Sequence, residues 1–563
     1  MMKGAYQLSR LERMDDLSES MEVMREAASK SGNNFRSELY NEMLKRHEWV
    51  MNPKHSAISQ KLTSLGFVYM LGLSPAAAAV NTTQNFVVAL PAMAARFGNM
   101  DSAKALAKTT KEFMSEAFKK KGTIKGALKG DELDAYQEWL DSGLLDNTRS
   151  HDLAGLSEGD SFNYSSKQAK AMNVVSAMFH HAEVYNRETT AIAAYRLARS
   201  KNMPGKNKPM SHSEAVTFAA DLTWDAHFDY SNVNRARFMQ NGFMKVATQF
   251  KQYSQNMTYF LVRNLHQATK GASKADRAIA RKTLLGTLGM TSVLGGLSTM
   301  PLYAVYTLVN GFFGYDDDEP WDAETEFNGF LVENFGKEAA DYVLHGIGGA
   351  GLSPRISLDG MWVRSPYRDL EGEDLWAHYA KQIAGPVVGG LFPSFLRGAD
   401  KIREGQLQRG FEMLVPKAFR DVSKAYRYAT EGALNQKGDE LKSAENFNAG
   451  QLLLQGMGLS DAQVNKQYAE NSAIKGYERA ILDRRSALMT RYYLSVRDGD
   501  LAERREIQLL INRFNRINPG VALSATSLKR SISSRERYRR QSINGININK
   551  NLSYLSAEMD YSG

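Results

Sequence analysis

The chain has 563 residues, which at about 150 residues per domain is enough for three or four folding units. It contains no cysteine, which excludes disulfides, thiolate metal sites and cysteine nucleophiles. Apolar residues make up 43% and charged residues 24%, which argues against bulk disorder and against a wholly membrane-embedded transporter. Proline is scarce, at 13 residues, so long helices are expected.

The net charge is 71 − 62 = +9, a mild excess that permits anionic partners without requiring them. Most of the excess lies in residues 503–540, which contain ten basic and three acidic side chains. At the other end, residues 1–20 are polar and charged and lack the apolar stretch of a secretory signal. No signal peptide is therefore expected.

Residues 1–60 have the apolar spacing of polar amphipathic helices, and a first uncharged run follows at residues 62–95. Its 34 residues exceed the ~20 that are needed to cross a ~30 Å hydrocarbon layer. Ser74-Pro75 and the polar stretch 81–85 interrupt it, which predicts two apolar helices joined at a polar bend. This hairpin is either buried in a soluble core or inserted in a membrane. Its membrane-contact candidates are Leu65, Phe67, Val68 and Leu71.

Residues 61–270 are predicted to form one helical domain that contains this hairpin. A long helix is expected over residues 168–199 because apolar side chains recur along one face. Aromatic side chains at helical spacing run through residues 238–260 and are interpreted as core.

A second uncharged run covers residues 283–315. Gly286, Gly289, Gly295-Gly296 and Pro301 are predicted to break it into two helices. Basic residues precede the run and acidic residues follow it, so it is either a membrane hairpin or a buried one. Its membrane-contact candidates are Leu285, Leu288, Val293, Leu294, Leu302 and Val305.

The remaining domains are predicted at residues 271–400, a Gly-rich hairpin region, and at residues 401–543, a basic helical domain, with a tail at 544–563. A β-hairpin is predicted at residues 355–364, where Asp359-Gly360 supplies the turn. The run Gly346 to Gly351 matches a dinucleotide-binding pattern, but a helical pattern precedes it where that motif needs a strand. We interpret it as a flexible linker.

Catalytic constellations are absent from the sequence, so we expect neither enzymatic activity nor a cofactor. The strongest alternative is a metal site that combines His180, Glu183 and His227. A di-metal carboxylate site would need a second Glu-x-x-His, which the sequence does not contain.

The basic end offers phosphate-contact candidates for DNA or lipid headgroups. No base-reading motif accompanies them, so binding to nucleic acid would be salt-sensitive and independent of sequence. These candidates are Lys529, Arg530, Arg535, Arg537, Arg539 and Arg540.

Short sequence segments within residues 55–270 resemble those of a known protein family. The first uncharged run ends in LPAMAARFG at residues 90–98, which resembles the PLxRFG segment of very large tailed-phage proteins. Four residues separate Pro91 from Arg96, where the family motif has two. The positions that carry the resemblance are Asn81, Gln84, Pro91, Arg96, Phe97, Gly98, Glu183 and Arg187.

The resemblance implies an internal virion protein that lies inside the capsid near the portal and is ejected with the genome. It implies a homo-oligomeric ring or tube in the host envelope that helps DNA cross. The implied partners are other core and portal proteins, phage DNA bound non-specifically, and the host membrane. One alternative is a purely structural portal-associated scaffold whose uncharged runs are buried between subunits; the other is a metal-dependent enzyme. For every case we predict a mainly α, elongated, multi-domain chain with one small β-hairpin.

Overall fold

The computed structural model describes most of the chain. The described residues are 18–30, 32, 34–51, 57–119, 122–145, 166–205, 207–228, 236–240, 242–301, 323–353, 372–383, 387–435 and 438–541. Their contacts divide them into two compact units, one with nearly all of those up to Lys466 and one with Gly372 and those from Gln467 onward. The domain boundaries that the sequence suggests remain predictions.

The first half of the chain is a succession of helices, preceded by a helical segment at residues 18–30. They are α1 (Asn34–Met51), α2 (Ala57–Met70), α3 (Pro75–Thr82), α4 (Leu90–Phe97), α5 (Asn99–Phe118), α6 (Asp131–Asp141), α7 (Ser166–Ser200), α8 (His212–His227), α9 (Gly242–Ala247), α10 (Gln252–Lys270) and α11 (Lys274–Gly295). A π turn at Asn85–Ala89 joins α3 to α4, and 3-10 turns lie at Ile124–Ala127, Arg237–Met239 and Leu297–Thr299.

The second half is also helical. Its helices are α12 (Ala323–Phe335), α13 (Lys337–Gly346), α14 (Gly372–Ile383), α15 (Phe392–Arg403), α16 (Leu407–Leu414), α17 (Lys417–Thr430), α18 (Ala449–Gly456), α19 (Ala462–Asp498), α20 (Leu501–Ile517) and α21 (Ala525–Gln541). Shorter turns lie at Ile347–Leu352, Val387–Leu391, Ala444–Asn446 and Pro519–Val521.

A small antiparallel hairpin interrupts the helices. It consists of β1 (Ala433–Leu434) and β2 (Glu440–Lys442), with Ala433 opposite Lys442. The prediction of a mainly α chain with one small β-hairpin is confirmed. The hairpin lies in a segment that the sequence assigned to helices, and the one predicted at residues 355–364 falls outside the described residues.

The core of the first unit surrounds α7, whose bounds agree with the helix predicted from the sequence. Between residues 182 and 198 nearly every side chain of α7 is buried, so the helix is covered on all sides. Helices α3, α5 and α8 pack against it, and α4 packs between α5 and α11. The apolar cluster at this place includes Val87, Val88, Met93, Ile192 and Leu222.

The first uncharged run breaks at residues 71–74 rather than at its polar stretch. The hydroxyl of Ser74 accepts a hydrogen bond from the backbone N–H of Ala77 at 3.3 Å, and Pro75 occupies the first turn of α3. Among the described residues, no single helix has the length and apolar character of a membrane span. One pair of segments meets both requirements when taken together: Lys61–Met70 and Pro75–Phe97, whose axes differ in direction by 91°.

The second uncharged run continues as α11 through Gly286 and Gly289 and ends at Gly295. Within the described part of the run, residues 283–301, the helix thus ends at Gly295 and is not broken at Gly286 or Gly289; Gly296 has φ +71°. The backbone of Gly296 contacts the backbone at the end of α13, where Gly346 has φ +68°. The Gly346–Gly351 run thus follows a helix and enters a packed π turn, which corrects its interpretation as a flexible linker.

The second unit has its own apolar core between α20, α21 and the later part of α19. It is built from Leu488, Ile507, Ile511, Phe514, Leu523 and Leu528.

Gly98 offers a test of the turn between α4 and α5. Its φ of +91° and ψ of 152° are nearly exclusive to glycine, while no atom lies within 4 Å of an added Cβ. Gly98→Ala should therefore lower the free energy of unfolding by about 1–3 kcal/mol through backbone strain alone. Gly289→Ala, at an equally open but helical position, should raise it by about 0.5–1 kcal/mol. Urea unfolding of both variants checks this; equal effects would contradict the assigned backbone geometry.

Candidate functional site

The residues that resemble the phage family lie mostly where α3, the Asn85–Ala89 π turn and α4 pack on α7 and α8. The Gln84 amide donates to the carbonyl of Ala226 at 2.8 Å. The Asn186 amide donates to the carbonyl of Asn81 at 2.9 Å. Both bonds are buried or half-buried and link the polar stretch 81–85 to the neighbouring helices. This explains why the stretch stays helical instead of forming a solvent-exposed bend.

A directed hydrogen-bond chain continues from this point. The side-chain amide of Asn85 donates through Nδ2 to the Thr189 hydroxyl at 3.0 Å, and the Thr190 hydroxyl donates to Oδ1 of the same Asn85 side chain at 3.1 Å. The Thr190 hydroxyl also lies 2.8 Å from Nε2 of His227. Since its proton is already given to Asn85, it accepts from His227, which places the imidazole proton on Nε2. Burial lowers the pKa of His227 to about 3, and the nearby Arg187 cation adds to this shift.

Arg187 is almost completely buried and ties two chain segments to α7. Its guanidinium donates to the carbonyl of Leu144 at 2.9 Å and to the carbonyl of Phe228 at 3.0 Å. The guanidinium also lies 4.8 Å from the ring centre of Trp224. Arg187 therefore has a positioning role in the core, and Glu183, four residues earlier, is buried in the same stretch of α7.

Sequence reasoning missed Glu188 as a core residue. One carboxylate oxygen accepts from the backbone N–H of Ile124 at 2.7 Å, and the other accepts from the hydroxyl of Tyr136 at 2.8 Å. The signal for it was a Glu-Thr-Thr triplet at residues 188–190 directly before the apolar stretch 191–194, where polar side chains need internal partners.

The remaining motif positions shape the contact of α4 with its neighbours. Pro91 is buried against α11, where a Cβ added to Gly286 would lie 3.0 Å from the Cβ of Pro91. Phe97 is buried edge-on against Phe218, with ring centres 5.6 Å apart. Gly98 then supplies the left-handed turn into α5. These residues fix helix packing.

Arg96 lines a cavity of about 130 Å³ between α4, α8, α10 and α11. Its guanidinium donates to the carbonyl of Ala92 at 2.7 Å, and burial lowers its pKa. Across the cavity, Arg263 and Asp225 form a two-pronged ion pair with distances of 2.8 and 2.9 Å. The cavity is small, and Arg96, Asp225 and Arg263 are the charged residues that line it.

The metal-site alternative gains no support from the described residues, within which no cluster of three or more His, Asp or Glu side chains could hold a metal. Of its three members, His227 bonds to Thr190, and the ring of His180 lies 5.5 Å from that of His181.

Helix α11 carries an arrangement that sequence reasoning did not anticipate. Thr283, Thr287 and Thr291, spaced by four, line its buried face, and the Thr291 hydroxyl donates to the Thr287 carbonyl at 2.7 Å. Leu285 and Val293 point outward with 70% and 48% of their surface exposed. A surface helix normally turns its apolar side inward, so part of α11 is reversed.

The other membrane-contact candidates have different environments. Leu65 is exposed and Phe67 is fully buried. Leu302 and Val305 lie outside the described residues. The half-buried candidates are Val68, Leu71, Leu288 and Leu294.

The phosphate-contact candidates lie on α21 in the second unit. Lys529, Arg530 and Arg537 are exposed. Arg537 follows Arg530 by seven residues and Lys529 by eight, about two helical turns in each case, so it lies on the same side of the helix as both. Arg535 is turned inward, where it donates to the Thr490 hydroxyl at 2.7 Å. Arg539 is exposed and lies 3.8 Å from Glu536. Arg540 lies on the last turn of the same helix.

Comparison with known proteins gives no relative to set beside this geometry: no family model, no curated protein and no solved structure matches the chain.

Proposed function

We propose that this chain is an internal virion protein of a tailed phage. It is packaged near the portal, released with the genome, and assembled as several copies in the host envelope, where it helps DNA cross. The family-like positions in residues 81–98 and 183–187 motivate the proposal. The observation that carries it is the reversed face of α11, which offers apolar side chains to the surroundings and keeps threonines inside.

The physical argument concerns what an envelope contact requires. A helix that meets lipid gains free energy by covering exposed apolar side chains, at about 25 cal/mol per Å². Leu285 and Val293 are available for this without any rearrangement. Phe67, Val87 and Met93 of the first run are buried in or beside the core and would have to leave it. Of the two uncharged runs, the second is therefore the one that contacts the envelope in this proposal.

Two further features agree with delivery of DNA. The exposed side of α21 carries Lys529, Arg530 and Arg537, which can neutralise backbone phosphates without reading sequence. The chain also has no cysteine, so no disulfide would hinder passage through a narrow tail.

A purely structural core scaffold is the second candidate. The burial of the first uncharged run favours it, because Val87, Val88 and Met93 are fully enclosed in the apolar core of the first unit. A scaffold would use the exposed side chains of α11 between subunits and would stay in the particle after the genome has left.

Mass spectrometry of purified virions and of emptied capsids tests the proposal. We expect the chain in full virions and its loss from capsids after genome release. Its absence from full virions would reject both candidates, and its retention in emptied capsids would reject ejection in favour of the scaffold.

A variant pair tests the role of α11. Leu285→Lys combined with Val293→Lys should leave packaging intact, because both side chains are exposed, but should reduce genome delivery at least ~tenfold. Leu509→Lys, at an equally exposed apolar position on α20, serves as the control. Normal delivery by the double variant would contradict an envelope contact through α11.

A further inference from the structure

Helices α15, α16 and α17 form a second reversed surface, which none of the sequence-predicted candidates belongs to. Nine large apolar side chains on these helices are exposed, with Leu396 at 71% and Tyr426 at 68%. We call them the α15–α17 apolar face: Phe392, Leu396, Ile402, Leu407, Phe411, Leu414, Phe419, Val422 and Tyr426.

The spacing of these residues gives α16 and α17 an apolar outer side. On α16 the steps between exposed side chains are four and three, and on α17 they are three and four. Helix α15 packs on α16, and α16 contacts α17. Gly398 and Gly410 permit the first contact, because a Cβ on Gly410 would lie 2.8 Å from the Gly398 carbonyl oxygen.

Charged groups fill the inner side of the same helices. Arg427 and Glu412 form an ion pair at 3.0 Å, and both are more than nine-tenths buried. Lys417 and Asp421 pair at 2.8 Å, with Asp421 buried. Burying these ion pairs costs desolvation free energy, and the outer side leaves apolar surface exposed to water. Both features are unfavourable for helices whose outer side faces only water.

Anchoring to α2 holds this orientation. The hydroxyl of Tyr69 donates to the carbonyl of Met413, and its ring lies edge-on to Phe395 at 5.4 Å. The guanidinium of Arg420 lies 5.1 Å from the centre of the Tyr69 ring. The apolar face therefore belongs to the folded first unit.

The charge around the face indicates what covers it. Residues 392–430 contain eight basic and four acidic side chains, which gives 8 − 4 = +4. All four acids pair with bases of the same segment, as Asp400–Arg403, Lys401–Glu404, Arg427–Glu412 and Lys417–Asp421. A second copy of this face would bring +4 against +4, which disfavours self-association.

We propose that the α15–α17 apolar face docks on the surface of a membrane that contains anionic phospholipid. Exposed Phe, Leu and Tyr side chains would enter the boundary between headgroups and acyl chains, and the exposed Arg397 and half-buried Arg409 would meet the lipid phosphates. This inference does not depend on the chain being a virion protein, because it rests only on the composition and exposure of this face.

Flotation of the purified full chain with vesicles tests the inference. Phosphatidylcholine vesicles with phosphatidylglycerol should carry the protein upward, and vesicles of phosphatidylcholine alone should carry much less. Phe411→Asp with Phe419→Asp should reduce flotation at least ~tenfold. Phe118→Asp with Leu509→Asp, at exposed apolar positions outside the face, should leave it unchanged.

The charge contribution is tested separately. Arg397→Gln with Arg409→Gln should reduce binding to anionic vesicles by about fivefold per charge and leave the weak binding to neutral vesicles unchanged. Circular dichroism should give the same helix content for all variants.

Flotation of the Phe411/Phe419 variant at the wild-type level would overturn the inference, and so would equal wild-type flotation with both vesicle types. A wild-type dimer in light scattering that this variant dissociates would also overturn it, because a second copy would then cover the face. Each result can be told apart from the chain's absence from virions, which bears only on the proposed function.

Discussion

Replacing Arg187 with methionine is expected to lower the free energy of unfolding of the first unit by about 3 kcal/mol. The substitution leaves the carbonyls of Leu144 and Phe228 buried without their charged donor, and each buried unsatisfied acceptor costs about 1–3 kcal/mol. Methionine keeps much of the volume, so little of the loss comes from a cavity. Urea unfolding followed by tryptophan fluorescence measures it, since Trp139 and Trp224 lie in or against this core.

Lys170→Met is the matched control for this variant. Lys170 lies on the same helix but is exposed, so the same chemical change should alter the free energy of unfolding by less than about 0.5 kcal/mol. A change below about 1 kcal/mol for Arg187→Met would contradict the role assigned to its guanidinium.

The second large effect is a loss of stability in acid that arises at His227. The pKa of His227 is about 3 in the folded chain and about 6.5 when unfolded. The unfolded state therefore binds the proton first, and the stability falls as the pH drops below about 6.5, by about 1.4 kcal/mol per pH unit. The fall ends near the folded pKa of about 3. Between about pH 6.5 and about pH 4.5 the contribution of this residue is about 2 kcal/mol.

His227→Gln should remove this part of the acid sensitivity. A glutamine amide can still donate to the Thr190 hydroxyl, and it takes up no proton in this range. As the pH falls from about 6.5 to about 4.5, the variant should therefore lose about 2 kcal/mol less free energy of unfolding than the wild type does. His266→Gln, an exposed histidine on α10, should leave the pH profile essentially unchanged. Parallel profiles for His227→Gln and wild type would contradict a neutral, buried ring.

The periodicity and composition of the sequence were sufficient to predict the helical fold class and the long helix α7. They were insufficient to predict which side of α11 is buried, because Thr283, Thr287 and Thr291 recur at the same helical spacing as the apolar residues of that helix. Only tertiary packing decides which side of such a helix is buried. The polar stretch 81–85 was interpreted as a bend for a similar reason: its partners Asn186 and Ala226 are more than a hundred residues away.

The candidate site was only partly accessible from the sequence. Arg187 and Gln84 were selected through a resemblance, and the structure places both in buried hydrogen bonds. The α15–α17 apolar face was missed because its residues alternate with charges, a pattern that indicates an ordinary surface helix. Its unusual feature, ion pairs inside and aromatic rings outside, depends on how Tyr69 of α2 holds the segment.

The π turn at Asn85–Ala89 decides where this segment can change its number of residues. It holds one residue more than an α turn, which lets Asn85 face α7 while Pro91 still meets Gly286 on α11. Deleting a single residue here would therefore close the π turn into an ordinary α turn and leave α4 in phase, whereas a deletion inside α4 would turn the residues after it by about 100° about the helix axis and carry Phe97 out of its contact with Phe218. The contacts of α4 therefore constrain the number of residues after Leu90 more tightly than the number of residues within the π turn.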